Sequence, residues 1–145
     1  MNQDELAIAW ISKAIQINPD YIEPYISLGF LYQELGRNSD AIGVYGAYLE
    51  SHGPERRILS NLALAYFDAG MPNEAVSTLQ TALTIDPDDE MLHLIMAEHL
   101  YMLGRIKESS SYLAEARELD RENPITDVSG LIKMLEQQYS GISEE

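Results

Sequence analysis

Gly36, Gly70 and Gly104 recur at one fixed interval, and no other feature of the chain constrains its fold as much. Ala41, Ala75 and Ser109 keep the same step. So do Leu28, Leu62 and Met96, then Gly29, Ala63 and Ala97, and then Tyr32, Tyr66 and Leu100. Columns that agree in this way mark an internal repeat. A repeat of this length is a supersecondary unit that buries its apolar face only against a neighbouring copy.

Each period reads as two helices. "YIEPYISLGFLYQELG" carries apolar side chains at Tyr25, Leu28, Leu31, Tyr32 and Leu35, which is helical spacing. Gly36 supplies a stop with positive φ, and Asn38 or Ser39 is placed to cap the second helix. "ILSNLALAYFDAG" followed by "MPNEAVSTLQTALTIDP" repeats the scheme, with Pro72 tolerated in a first turn. "MLHLIMAEHLYMLG" followed by "RIKESSSYLAEARELD" repeats it again. Ahead of them, "DELAIAWISKAIQINP" matches a second helix only. After them, "TDVSGLIKMLEQQY" sets Val128, Leu131, Ile132, Leu135 and Tyr139 on one face, and Gly141 follows its stop. No segment alternates with the period of a strand. The expected fold is all-α, a short right-handed α-solenoid of helical hairpins. It divides into the second helix of a partial repeat (1–21), three repeats (22–55, 56–89 and 90–123), a capping helix (124–140) and an acidic tail (141–145).

At fixed places these residues resemble tetratricopeptide repeat proteins, over residues 1 to about 123. Gly29, Ala63 and Ala97 match the family's small site in the first helix. Ala41, Ala75, Ala82 and Ala116 match its small sites in the second, as do Ala7 and Ala14 ahead of them. Tyr32 and Tyr66 match its aromatic site, and Pro19 and Pro87 its hairpin-ending proline. The family's tryptophan site holds Tyr25, Leu59 and His93. Ser109 and Arg121 weaken the third repeat. Tyr48 stands where alanine is usual and Gly53 where proline is usual, which implies a looser or tilted joint between the first and second full repeats. Gly43 and Gly46, close to the large Tyr48, are expected to give the next repeat room to approach.

The resemblance implies a non-enzymatic interaction module whose first helices line a concave face. By helical spacing that face offers Glu23, Ile26, Phe30 and Gln33, then Arg57, Ser60, Asn61, Leu64 and Phe67, then Met91, Leu94, Ile95, Glu98 and Tyr101. A known binding mode of the family clamps a C-terminal carboxylate with Lys, Asn and Arg side chains. Here Ile26, Phe30, Met91 and Ile95 replace four of its members and only Asn61 matches, so that clamp is disfavoured. The expected groove is Ile26, Phe30, Asn61, Leu64, Phe67, Met91, Leu94, Glu98 and Tyr101, an apolar floor with acidic edges. It suits an apolar or amphipathic protein segment with basic flanks.

The alternative is a structural assembly protein. Ile8, Trp10, Ile11 and Ile15 on the leading helix lack the helix that a complete repeat would lay over them, so a homo-oligomer contact is expected there, or a cover of upstream repeats. A further alternative is the substrate-recruiting part of a larger enzyme. The net charge of -15 repels phosphate backbones and anionic lipid, so neither nucleic acid nor membrane is an expected partner. The absence of cysteine removes disulfides and thiolate chemistry. No apolar run approaches a membrane span, and the first residues do not read as a signal peptide. A cytoplasmic setting is expected, with any targeting segment of a longer parent lying upstream.

Chemistry at single sites is weakly signalled. Glu90 and His93 have a metal-ligand spacing without a second such pair. The plainer reading packs His93 at the tryptophan site and leaves His99 solvated. "GVYG" lacks the strand and basic residue of a phosphate cradle. "DPDDE" lacks the glycine and spacing of a calcium loop, and its carboxylates suit a helix N-terminus. No catalytic residue, metal or cofactor is expected.

Overall fold

Apolar side chains at intervals of three and four, each stretch ended by glycine or proline, give eight helices among the described residues and no strand. The computed structural model describes residues 3–122 and 126–141, without the side chains of 122, 126–129, 131 and 139. The helices are α1 Gln3–Ile17, α2 Ile22–Glu34, α3 Asn38–His52, α4 Arg56–Asp68, α5 Pro72–Ile85, α6 Glu90–Met102, α7 Ile106–Glu122 and α8 Thr126–Ser140. The fold class is all-α, made of hairpins that stack as in an α-solenoid within each of two compact units, residues 1–85 and residues 86–145.

Three turns share one geometry. Gly36, Gly70 and Gly104 have φ of 68°, 74° and 72°. Each N–H bonds three residues back, to the carbonyls of Gln33, Phe67 and Tyr101 at 2.8, 2.9 and 2.8 Å. The next residue bonds five back, Arg37 to Tyr32, Met71 to Tyr66 and Arg105 to Leu100. This double bond satisfies the last carbonyls of the first helix. In the first turn Arg37 is also the N-cap of α3, where no side chain caps the helix. Asn38 and Ser39 therefore lie inside α3 already, and neither caps it as expected. Arg37 instead holds Asp40 at 2.6 Å and lies over the Tyr32 ring, 4.6 Å from its centroid. Between hairpins, Glu55 and Asp89 do cap, accepting from the N–H groups of Ile58 and Leu92 at 2.9 Å.

The core of the first unit crosses the joint between its two full hairpins. Tyr25, Ala41, Tyr45, Tyr48, Ile58, Leu62 and Ala65 form one buried cluster. Tyr48 is 7% exposed. Its ring meets Tyr25 edge-on at 5.0 Å and stacks on His52 at 4.3 Å. The joint is closed by this side chain, which corrects the expectation of a loose one. Nor do Gly43 and Gly46 make room for a neighbour. A Cβ on either would meet nothing within 4 Å. Gly43→Ala and Gly46→Ala are therefore expected to stabilise α3 by up to ~1 kcal/mol each, since alanine restricts the unfolded chain and suits a helix interior. Thermal denaturation followed by circular dichroism checks this, and a fall in the midpoint would refute it.

In the second unit, Leu94, Ala97, Leu113 and Ala116 of α6 and α7 bury Ile132 and Leu135 of α8. Val128, Leu131 and Tyr139, expected on the same face, lie outside the described side chains. Ser109 keeps the small site of its repeat closed: fully buried, it donates its hydroxyl to the Ala97 carbonyl. His99 is 3% exposed and so belongs to the interior rather than to solvent. It occupies the column of Leu31 and Ala65, and Ala65 is likewise buried.

Candidate functional site

In the first unit α2 and α4 pack side by side, because α3 returns the chain between them. Two polar pairs join them. Near the N-terminal ends the Arg57 guanidinium donates to both carboxylate oxygens of Glu23, at 2.7 and 3.2 Å. That hydrogen bonding holds the Glu23 carboxyl below its ordinary range and raises Arg57. Near the C-terminal ends Gln33 Nε2 donates to Asp68 at 3.2 Å. Gln33 also accepts from the Tyr45 hydroxyl at 3.2 Å. Burial pushes that phenol up to about 12, so it stays a neutral donor across the physiological range.

Between these pairs lies an apolar stripe. Phe30 is 58% exposed, although it is large and aromatic. Ile26, Leu64 and Phe67 are half-buried, and Ile26 partly packs on the core. Asn61 is also half-buried, and its amide donates to the Arg57 carbonyl at 2.8 Å. It is thus engaged on its own helix. The first unit therefore brings five of the expected groove residues to the first helices of its hairpins.

The other four belong to the second unit. Met91 is 39% exposed, Glu98 is exposed and Tyr101 is half-buried. Leu94 is 3% exposed, beneath Ile132 and Leu135 of α8. It is core rather than groove, because the capping helix lies on the side of α6 that the helical spacing assigned to a ligand. Leu94 shares its column with Ile26 and Ser60, and Ile26 packs partly on the core of its own unit.

Among the expected oligomer contacts, Ile15 turns onto the core cluster of the first unit and is not free for a partner. Ile8 and Ile11 are half-buried, and Trp10 is 68% exposed. No group of three or more metal-ligating side chains converges among the described residues. His93 Nε2 approaches the Pro87 carbonyl at 2.7 Å, and its ring tilts against Tyr112. Burial, with Asp120 and Asp89 nearby, raises the Glu90 carboxyl. No described helix is long and apolar enough to cross a membrane.

The helical spacing did not reveal the contact of Gly29 with Tyr45. A Cβ on Gly29 would overlap the Tyr45 ring. The signal was present, since the corresponding pairs are Ala63 with Leu79 and Ala97 with Leu113. The smaller first-helix residue accompanies the larger second-helix residue.

Comparison with known proteins agrees with the helical-repeat fold. Two family models described as tetratricopeptide repeat match residues 27–90 and 66–127, and one described as TPR repeat matches residues 1–45. The human protein O-mannosyl-transferase TMTC1 is 36% identical over 85 residues, which are 58% of this chain and 9% of that protein. The chain thus spans under a tenth of that relative. Among solved structures, the type III secretion translocator chaperone SycD of Yersinia enterocolitica matches with a TM-score of 0.74 at 23% identity, over 86% of this chain and 94% of that one. A structure of SycD in complex with a peptide of the translocator YopD matches with a TM-score of 0.67 at 23% identity, over 81% and 94%. MamA from Desulfovibrio magneticus RS-1 matches with a TM-score of 0.74 at 17% identity, over 84% and 69%.

Proposed function

We propose, since the chain belongs to the tetratricopeptide repeat family, that this protein-interaction scaffold binds an apolar or amphipathic protein segment on the α2–α4 face. The observation that carries the reading is Phe30, a large aromatic ring left mostly in water between two polar cross-helix pairs. Leu64 and Phe67 extend the apolar stripe beside it. Such a surface loses water favourably when a partner covers it. The net charge of -15 favours a segment with Lys or Arg flanks. SycD, a translocator chaperone solved also with a peptide of its translocator, shares the fold. Met91, Glu98 and Tyr101, exposed or half-buried on α6, are proposed as contacts of the second unit taken by itself. No catalytic role is proposed for this segment, and a cytoplasmic setting remains part of the reading.

Short peptides selected by phage display on this protein test it. Enrichment of apolar sequences with basic flanks is expected. The double variant Phe30→Asp, Leu64→Lys is expected to weaken their binding at least ~10-fold, equivalent to about 1.4 kcal/mol, with helix content unchanged by circular dichroism. Equal binding to wild type and variant would place the site elsewhere.

A further inference from the structure

The two cross-helix pairs that flank Phe30 differ in charge. At the N-terminal ends of α2 and α4 the Arg57 guanidinium neutralises the Glu23 carboxylate. At the C-terminal ends Asp68 accepts from Gln33, a neutral donor that leaves its charge uncompensated. Glu34 holds the repeat position of Asp68 on α2, and both are exposed. The C-terminal ends of the two helices add partial negative charge there, and their N-terminal ends partial positive charge at the other pair. The face is thus negative at one end only.

The Asp68 carboxylate is also held from the core. The ring of Tyr45, on α3, passes where a Cβ of Gly29 would stand, and its hydroxyl reaches Gln33 at 3.2 Å. An ionised carboxylate only accepts, so Gln33 turns its NH2 to Asp68 and its carbonyl oxygen to the phenol, which donates. Tyr45 is fully buried and fixes this order. The other repeats have Leu79 and Leu113 in the Tyr45 column, and Phe67 and Tyr101 in the Gln33 column. Only the first repeat carries the residues of this relay.

We propose that Asp68, held by Gln33 and Tyr45, anchors one lysine or arginine of a partner polypeptide segment, and that the segment needs its cation at this end alone. The inference rests on the reading of α2–α4 as a segment-binding face, and it narrows the charge of that segment to one flank. Gln33 follows Phe30 and Asp68 follows Leu64 by about one helical turn, roughly 5 Å. The cation therefore lies about that far from the apolar residue seated at Phe30. A second copy of this chain is a poor source of it. Each copy has a net charge of -15, and Arg37, Arg57, Arg105, Arg117 and Arg121 already pair with carboxylates of their own chain.

The probe is a labelled synthetic peptide with a core of leucine and phenylalanine in non-palindromic order. It is made with a lysine one turn beyond the core at either flank, at both flanks and at neither. Anisotropy titrations of the 145-residue protein are run at ~0.15 M salt, where charges more than about 8 Å apart are largely screened. One single-lysine form is expected to bind about 3- to 5-fold tighter than the lysine-free form, the range of a solvent-edged ion pair. The other is expected to bind like the lysine-free form, and the double-lysine form like the better single one. Asp68→Asn is expected to remove the advantage and to leave the lysine-free form unchanged. Tyr45→Phe keeps the ring and loses the hydroxyl. It is expected to reduce the advantage alone, whereas a merely structural role would weaken all forms alike. The proposal is overturned if both flanks gain equally, or if the advantage survives Asp68→Asn, while Phe30→Asp still prevents binding. If no form binds, or if Phe30→Asp has no effect, the reading of the face fails and this proposal with it. A molecular mass that rises with protein concentration, blocked by the peptide, would assign the face to a second copy and also overturn the proposal.

Discussion

Tyr48→Ala is expected to destabilise the first unit by about 3–5 kcal/mol, the range for removing a buried aromatic ring from a core. The corresponding fall in its melting midpoint is roughly 10 °C or more. Alanine is the common residue of this column, at Ala82 and Ala116, so a family-average view gives the opposite sign. Local packing decides the matter. Tyr48 is 7% exposed, packed by Tyr25 at 5.0 Å and His52 at 4.3 Å. The partners have adapted to the ring: Tyr25 replaces the Leu59 and His93 of its column, and His52 anchors to the Tyr48 carbonyl at 3.1 Å and to Asp20 at 3.2 Å. Removing the ring leaves a cavity that these groups cannot fill without losing those bonds. Thermal denaturation by circular dichroism checks the prediction, and an unchanged or raised midpoint would sink it.

Gly29→Ala is expected to be the second most damaging small change, although alanine is the better helix former by about 1 kcal/mol. The new methyl would run into the Tyr45 ring, inside a fully buried site. Overpacking of this kind costs about 1–3 kcal/mol and exceeds the propensity gain. Rescue is the sharper expectation. Gly29→Ala with Tyr45→Leu reproduces the Ala63–Leu79 and Ala97–Leu113 pairs, and is expected to recover most of the loss. A double-mutant cycle should give a favourable coupling of roughly 1–3 kcal/mol. A coupling near zero would show that the ring moves aside freely and that the pair is not complementary.

Much of this architecture was legible because a repeat states its own geometry several times over. The glycine columns located the hairpin turns, and the apolar spacing located α2 to α7. The turn residues illustrate a limit. Asn38 and Ser39 have capping side chains, yet the turn is so tight that Arg37 alone serves as its exit and as the start of α3. Residue type does not reveal such an overlap.

The candidate site was legible in part, for a related reason. Helical spacing tells which residues share a face but not what else lies on that face. Phe30 is 58% exposed, with none of the described helices laid over it, whereas Leu94 packs with α8 and Ile15 with the core of the first unit. Taken singly, Tyr48 departs from the family pattern and Gly29 obeys it. Their meaning lies in pairs, Tyr48 with Tyr25 and Gly29 with Tyr45, and a pair becomes visible only when two columns are compared together.

The overlap at Arg37 also bears on how this chain tolerates changes of length. Within that hairpin the last residue of one bonding pattern is the first of the next, so there is no slack for an extra residue. Between hairpins the segments 18–21, 53–55 and 86–89 belong to no helix. Insertions, affinity tags and fluorophore linkers are therefore best placed in those borders, where added residues leave both neighbouring helices wound.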